Sequence, residues 1–292
     1  MNTIIIIRDF FQNVVLSLIT LLRIPFFSRP WGKIKSIKNA GNLIILANGP
    51  SLTTSLHAHS EFLAKQNLLA VNMFAASEYY TVLKPAHYVI ISPDMWEDNS
   101  DERLKEKKKG LWGVLAAKTQ WPVTLYLPAE AKQNKEWKKW IEHNKNFSFS
   151  YFNRTPVEGF RAFKRICYRL NLGMPRPHNV LIPSLMIALN SGFEEITLLG
   201  ADHSWMKEVS VTQDNTVLVN QKHFYDETTS TPQHMLKRGG VRKLHEILHK
   251  WQLAFAAYFD LENYARSRGA SIYNATPNSF IDAFERKADL SK

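Results

Sequence analysis

The residues best suited to chemistry follow the apolar runs of this chain. An Asn-Gly-Pro-Ser turn, formed by Asn48, Gly49, Pro50 and Ser51, comes directly after the run NLIILA. Asn48-Gly49 allows a ligand to approach the backbone closely, and Ser51 is a typical cap of a helix whose first amides face an anion. The turn matches neither the Walker motif nor the dinucleotide Gly-x-Gly-x-x-Gly motif. On its own it is also typical of an ordinary turn.

Polar residues follow other apolar runs in the same way. Asn72 comes after LLAV, Asp94 comes after VIISP, and the run ITLL ends in Gly200, Ala201, Asp202 and His203. The carboxyl ends of parallel strands meet at one edge of a sheet, where ligands bind. Asp202 alone would be typical of a helix cap. Together these residues predict one binding crevice.

The elements that would position them are continuous apolar runs separated by helical patterns. The strand-like runs are NLIILAN, LLAVNMF, HYVIIS, VTLYLP, EITLLGAD and ASIYNATP, and the helical segments include SEFLAKQ, SLMIALNSG and the long stretch from Gly240 to Gly269. Strands that are apolar throughout are typical of a sheet covered on both faces. The sequence therefore predicts an α/β fold with a doubly wound, mostly parallel sheet.

Composition and charge narrow the classes of function. The 292 residues are 45% hydrophobic, which indicates a globular protein, and the formal charge of +11 favours an anionic partner. The single cysteine, Cys167, excludes an internal disulfide and a Cys-rich zinc site. No motif that reads DNA or RNA accompanies the basic segments, and no convincing Asp-x-Asp motif occurs. We therefore expect neither a nucleic-acid partner nor a bound metal.

The N-terminal segment 1–38 is the most apolar part of the chain. Charged and amide side chains interrupt it, so no unbroken run reaches the roughly 20 apolar residues of a spanning helix. It also lacks the features of a signal peptide. We expect an amphipathic helix at the cytoplasmic face of the inner membrane, peripheral or monotopic, with basic residues facing anionic headgroups: Arg23, Arg29, Lys33, Lys35 and Lys38. The alternative is a helix that packs on the protein's own core or in a homo-oligomer.

Four segments in this order carry a family resemblance: NLIILANGPSL, AVNMF, SGFEEITLLGADHSW and IYNATPNSFIDAF. They resemble the bacterial lipooligosaccharide sialyltransferases of glycosyltransferase family 42 and related uncharacterised proteins of surface-polysaccharide gene clusters. The resemblance implies one Rossmann-like, GT-A-like domain at 39–292 with a lid at about 204–240. It also implies a CMP-activated sugar as donor substrate, with no metal or other cofactor.

The resemblance implies roles for individual residues by position. Asn48, Gly49 and Ser51 match phosphate and ribose contacts, with Pro50 in the same turn. Asn72 matches a nucleotide-contacting asparagine, and Gly200, Ala201 and Asp202, followed by His203, match a Gly-x-Asp segment that lines the nucleotide site. The segment PHNVLIPSLMIAL departs from the family's donor loop, and its polar candidates are Asn179 and Ser184.

The general base is expected to be a histidine in or near the lid. His245 begins the matched helix beside Glu246, and His223 lies in a Tyr- and Asp-containing loop typical of a lid. A neutral imidazole suits proton abstraction near pH 7. We favour His245, then His223, with His203 as a third candidate. Tyr225 is expected to donate to the leaving phosphate.

Three functions remain open from the sequence. The first is a membrane-associated transferase that moves a sialic acid-like sugar or Kdo from a CMP-sugar to an oligosaccharide or glycolipid acceptor in surface-polysaccharide synthesis. The second is a Mg²⁺-dependent pyrophosphokinase related to archaeal 6-hydroxymethylpterin pyrophosphokinases, which carry a similar Gly-Asn-Gly-Pro-Ser strand end but need spaced carboxylates. The third is a membrane-bound scaffold without enzymatic activity.

Overall fold

The computed structural model describes residues 3–97, 101–225, 230–237, 240–288 and 290. The strands are β1 (Asn42–Leu46), β2 (Leu68–Val71), β3 (His87–Val89), β4 (Val123–Pro128), β5 (Phe147–Phe152), β6 (Glu195–Leu199), β7 (Val209–Val211), β8 (Val217–Val219), β9 (Leu236–Lys237), β10 (Gly240–Val241), β11 (Ser271–Asn274) and β12 (Glu285–Arg286). The helices are α1 (Thr3–Phe27), α2 (Leu52–Leu63), α3 (Tyr79–Leu83), α4 (Glu102–Lys118), α5 (Glu136–Lys139), α6 (Arg161–Arg169), α7 (Leu181–Ser191) and α8 (Leu244–Ser267).

Eight strands form one parallel sheet in the order β12-β11-β6-β1-β2-β3-β4-β5. Strands β2 to β5 follow one another in chain order on one side of β1, and β6 lies on the other side of β1. The strand order therefore reverses between β1 and β6, which is the point where open α/β sheets bind ligands. The predicted doubly wound, Rossmann-like fold is confirmed.

The sheet separates two hydrophobic cores because successive side chains of a strand point to opposite faces. Leu43 and Ile45 of β1 pack with α7 and α8, whereas Ile44 and Leu46 pack with α2 and α4. Every residue of α7 except Asn190 is buried. This double coverage explains why β1 from Leu43 onward and the whole of β2 are apolar.

Two strands of the eight-stranded sheet and the start of one helix differ from the sequence prediction. β5, with the sequence FSFSYF, is an edge strand with partly exposed side chains, so it lacks the continuous apolar pattern. β12 is a two-residue strand with charged side chains at the opposite edge. The helix predicted from SEFLAKQ begins earlier, at Leu52, directly after the Asn-Gly-Pro-Ser turn.

An insertion at 204–243 separates β6 from α8 and overlaps the predicted lid. It contains the antiparallel pairs β7/β8 and β9/β10. Val217 and Val219 of β8 pack against Ile247 and Trp251 of α8, which gives the insertion a small core of its own. The parts of the predicted lid at 226–229 and 238–239 lie outside the described residues, and its motion stays a prediction.

Helix α1 is long and apolar enough, by length and composition, to cross a membrane. It contacts the rest of the protein through Phe10, whose ring centroid lies 5.5 Å from that of Phe160, through Ile24, and through polar side chains. The Thr20 hydroxyl donates to the Glu158 carbonyl (3.0 Å) and accepts from the Glu158 amide (2.9 Å), and Arg23 pairs with the Glu158 carboxylate at 2.6 Å. The expectation that Arg23 faces lipid headgroups is therefore wrong, because Glu158 holds it against the protein. Lys33, Lys35 and Lys38 are exposed.

Candidate functional site

A cavity of about 620 Å³ lies at the carboxyl edge of the sheet. Small-molecule sites typically measure roughly 300–1,000 Å³. Its walls are the segments that follow β1, β2, β3, β5 and β6, part of α4, the start of α7, one face of α8, and the insertion. The lining includes ten of the predicted site residues: Asn48, Gly49, Pro50, Asn72, Asn179, Gly200, Asp202, His203, His223 and Tyr225.

The Asn-Gly-Pro-Ser turn is locked to its neighbours by hydrogen bonds. The Asn48 side-chain amide donates to the carbonyl of Val71 at the end of β2 (3.1 Å), and the Gly49 amide donates to the carbonyl of Gly200 (2.8 Å). A Cβ atom at Gly49 would lie 2.0 Å from Oδ2 of Asp202 and 2.5 Å from the Gly200 carbonyl oxygen. Only glycine fits at position 49, because the end of β6 passes so close.

Asp202 occupies the place where we expected an anionic ligand. Its carboxylate accepts hydrogen bonds from the Ser51 amide (3.2 Å) and the Ser51 hydroxyl (2.8 Å). A carboxylate is favourable here because the unpaired amides and the dipole of α2 make its N-terminus partly positive. The Ser51 donors are therefore engaged, and Ser51 itself does not line the cavity.

Asn72 begins the segment after β2 in a left-handed conformation, with φ of 46°. The Tyr88 hydroxyl fixes this conformation by donating to the Asn72 carbonyl at 2.6 Å, and the Ile91 amide points at the Asn72 side-chain oxygen at 3.4 Å. Asparagine tolerates this region of φ better than most residues do. The result is an amide side chain held at the cavity between β1 and β3.

His203 is held in a buried polar network. Its Nε2 lies 2.5 Å from the Tyr258 hydroxyl and 3.4 Å from Nδ2 of Asn179, and the same hydroxyl donates to Oδ1 of Asn179 (3.1 Å). Burial lowers the pKa of His203 to about 3, so the ring is neutral at pH 7. Asn179 Oδ1 also accepts from the Leu181 amide at 3.0 Å, which caps α7. This network fixes the wall of the cavity beside Asp202.

The insertion contributes His223 and Tyr225, whose rings stack with 5.0 Å between centroids. Between them, the Phe224 amide donates to the carbonyl of Asn48 (3.0 Å), and the Phe224 ring contacts Phe74 with 5.7 Å between centroids. The lid segment is thus attached directly to the Asn-Gly-Pro-Ser turn. Both a histidine and a tyrosine face the same cavity as Asp202.

His245, which we favoured as the base, does not line the cavity. It is exposed near the start of α8, whereas Ala254 of the same helix lines the cavity. Ala254 lies about two and a half turns further along, so the two side chains point to opposite faces of the helix. The position of His245 along the chain suggested it as the general base, but its side chain lies on the side of α8 that faces away from the cavity. His234 is also exposed and outside the lining.

Two further predicted residues serve the core instead. Ser184 is fully buried within α7, and its hydroxyl donates to the carbonyl of Val180 at 2.8 Å. Ala201 is buried, and its amide donates to the Thr276 hydroxyl at 2.9 Å. Neither lines the cavity, because α7 and the end of β6 are packed on every side at these positions.

The lining also contains residues that were not predicted, among them Arg154, His178, Lys250 and Trp251. A sequence signal existed for α8, because Lys250, Trp251 and Ala254 share one face of a helix at i, i+1 and i+4 spacing. Nothing in the sequence related that face to His178, which precedes α7. Within the described ranges, no group of three or more His, Cys, Asp or Glu side chains is arranged to hold a metal ion.

Comparison with known proteins gives a distant similarity of fold. No protein-family model and no curated protein matches the sequence. One similar solved structure is described as a MAf glycosyltransferase from Magnetospirillum magneticum AMB-1, with 12% sequence identity and a TM-score of 0.49. The similarity covers 90% of this chain but only 35% of that protein. The resemblance to family 42 therefore rests on the sequence motifs.

Proposed function

We propose that this protein is a glycosyltransferase that uses a CMP-activated acidic sugar, a sialic acid-like sugar or Kdo, as its donor. The observation that carries the proposal is the convergence of Asn48, Asn72 and Asp202, from three adjacent strands, on one cavity with a histidine and a tyrosine of the lid. Amide and carboxylate side chains suit the hydroxyl and amino groups of a nucleoside. An oligosaccharide or a glycolipid is the acceptor in this proposal.

In the proposed reaction, His223 removes the proton from the acceptor hydroxyl as the acceptor oxygen forms a bond to the anomeric carbon. The bond from that carbon to the phosphate oxygen breaks, and CMP leaves with the electron pair. The Tyr225 hydroxyl donates a hydrogen bond to the leaving phosphate. His223 replaces His245 as the favoured base because it lines the cavity, whereas His245 lies on the far face of α8.

The proposal is tested by incubating the protein with CMP-sialic acid and CMP-Kdo and measuring release of CMP, first with EDTA and then with Mg²⁺. We expect slow hydrolysis of one donor in EDTA and its loss in His223→Asn, with His245→Asn active as the matched control. Equal activity of His223→Asn and wild type would reject the assigned base. Turnover of ATP with Mg²⁺ and of neither CMP-sugar would favour the pyrophosphokinase.

The chain offers a matched pair of asparagines for testing the nucleotide site. Asn48 bonds the carbonyl of Val71 at the carboxyl edge of β1 and β2, and Asn67 bonds the carbonyl of Asn42 at 3.2 Å at the opposite edge of the same strands. Each alanine variant loses one side-chain bond to a backbone carbonyl, which is worth about 1 kcal/mol. We expect Asn48→Ala to weaken CMP binding at least about tenfold and Asn67→Ala to leave it unchanged. Equal CMP affinity in the two variants would contradict the placement of the nucleotide.

We also propose that α1 lies on the cytoplasmic face of the inner membrane. The helix turns the polar side chains of Ser17, Thr20 and Arg23 toward the protein and leaves most of its large apolar side chains exposed. The exposed fractions are 73% for Ile4, 62% for Phe11, 69% for Leu22 and 70% for Phe26. Apolar surface on this scale is costly in water and is typical of a membrane-facing helix. Exposed lysines at 33, 35 and 38 would meet anionic headgroups.

Vesicle flotation tests this location with matched leucine variants. Leu18→Gln/Leu22→Gln changes exposed positions of α1, and Leu170→Gln/Leu248→Gln changes exposed positions elsewhere. We expect only the α1 variant to lose binding to vesicles that contain anionic lipid. Equal flotation of both variants would reject the proposed location of α1. These substitutions are preferable to deleting residues 1–30, because the backbone of Arg29 is bonded to Asn153 inside the protein.

A further inference from the structure

We propose that His178 and Lys250, which both line the cavity, form a binding wall for an oxyanion of the substrate, a phosphate or a carboxylate. We call these two residues the α8 wall. The inference rests on the proposed function to the extent that the cavity is taken as the substrate site. It names the group that the substrate must present on that side of the cavity.

The first step is that the N-terminus of α2 is already occupied. Both donors of Ser51 are bonded to Asp202, and a phosphate placed beside them would meet the negative charge of that carboxylate. Burying two like charges together is unfavourable. An anionic group in this cavity must therefore find its positive partners elsewhere on the lining.

The second step compares the four Lys and Arg side chains of the lining: Lys107, Arg154, Lys222 and Lys250. Arg154 is paired with Glu130 at 3.1 Å, and Lys222 is paired with Glu208 at 3.1 Å. Lys107 is exposed on α4. Lys250 is half-buried, and within the described part of the chain no carboxylate lies within ion-pair distance of it. It is the cation best placed to gain an anionic partner.

The third step is the surroundings of Lys250. Burial and the neighbouring charge of Arg242 lower the pKa of its amino group. Nε of Arg242 and Nε2 of His178 are buried without hydrogen-bond partners among the described residues. The pKa of His178 is lowered to about 4, mainly by burial. The positive charges of Lys250 and Arg176 lower it further, and His249 and Arg242 have weaker effects. Buried polar groups without partners are uncommon, and an oxyanion bound in the cavity would give Nε2 of His178 and the amino group of Lys250 a partner.

The arrangement defines how a two-part substrate would lie. The nucleoside would contact Asn48, Asn72 and Asp202, and the oxyanion would contact Lys250 and His178, which line the same cavity. In a CMP-activated ulosonic acid, the phosphate and the carboxylate are both oxyanions that could bind there. In a lipid-linked acceptor, the oxyanion would be a diphosphate. The shared requirement is an oxyanion at Lys250 and His178.

Calorimetry on the full chain tests the α8 wall with four probes: cytidine, CMP, inorganic pyrophosphate and a free nonulosonic acid. We expect Lys250→Met to weaken binding of at least one anionic probe about tenfold or more, because hydrogen bonds to charged groups are worth that much, and to leave cytidine unchanged. Lys250→Arg should retain binding. Lys65→Met, with the same charge change at an exposed position on the chain after α2, is the control. His178→Asn is an independent second variant.

The outcomes separate this inference from the proposed function. Loss confined to CMP assigns the wall to the donor phosphate, loss confined to the free acid assigns it to the carboxylate, and loss confined to pyrophosphate assigns it to a diphosphate. Lys250-dependent pyrophosphate binding without CMP binding would retain the wall and reject the CMP-sugar donor. Unchanged binding of every anionic probe by Lys250→Met and His178→Asn, or no anion binding by the wild type, would overturn the wall.

Discussion

Gly49→Ala tests the construction of the candidate site more sharply than any charge change. An added Cβ would lie 2.0 Å from Oδ2 of Asp202 and 2.5 Å from the carbonyl oxygen of Gly200. The carbonyl is backbone, and it already accepts a hydrogen bond from the Gly49 amide at 2.8 Å. Movement of the Gly200 backbone is also restricted, since its own φ is +68° and its Cα faces the Ala47 carbonyl and Leu52.

Two costs follow from this geometry. Overpacking of a closely packed site costs about 1–3 kcal/mol. Displacing Asp202 from Ser51 removes a charge-assisted hydrogen bond worth about 1.5–3 kcal/mol. We therefore expect Gly49→Ala to lower the free energy of unfolding by about 2.5–6 kcal/mol, and the altered turn to bind CMP more weakly than the wild type does. Urea titration and calorimetry on the same preparations measure the two effects.

Gly110→Ala is the matched control. Gly110 lies in α4, and nothing lies within 4 Å of the Cβ that alanine would add. Alanine is preferred over glycine inside an exposed helix by about 0.5–1 kcal/mol, so this variant should be slightly more stable and bind CMP normally. The same substitution thus has opposite signs at the two sites. A Gly49→Ala protein as stable as wild type would refute the close approach of Gly49 to Gly200 and Asp202, the residues that follow β6.

Two further predictions concern α1 and His203. Thr20→Val removes the hydroxyl that bonds both backbone groups of Glu158. Because leaving the Glu158 amide unpaired costs about 1–3 kcal/mol, limited proteolysis should release residues 1–27 faster from this variant than from the wild type. Equal rates of release would contradict the contact between α1 and Glu158. The pKa of His203 falls from 6.5 to about 3 on burial, so the unfolded chain takes up a proton that the folded chain does not. The free energy of unfolding should therefore fall as pH falls from 6.5 toward 3, by at most about 1.4 kcal/mol per pH unit from this group. In His203→Asn this decline should be shallower, and identical pH profiles would show that His203 does not titrate as described.

The positions of Asn48, Asn72 and Asp202 followed from the sequence because each comes directly after an apolar run. In a parallel sheet, the end of a strand fixes where the next side chains lie. The fold class depended on the same signal. β5 was missed because an edge strand needs no continuous apolar pattern, and its serines alternate with aromatic residues.

The differences between the sequence prediction and the structure come from information that a linear pattern does not hold. His245 was placed by its distance along the chain, but which face of α8 it occupies depends on how the helix packs. His178 and Lys250 are far apart in sequence and meet only at the cavity. The charged and amide residues that interrupt the N-terminal segment were visible in the sequence, but only the structure shows that Thr20 and Arg23 face the protein.

Calorimetric titration of the purified full chain with CMP, CDP, UDP, GDP and ATP, each in EDTA and then in Mg²⁺, is the most direct test of the central claim. The proposed function predicts selective binding of CMP in EDTA, with no requirement for the metal. Binding that depends on Mg²⁺ and prefers ATP or a nucleoside diphosphate would contradict the CMP-sugar donor. Absence of binding by any nucleotide would contradict a nucleotide site in this cavity and favour the scaffold.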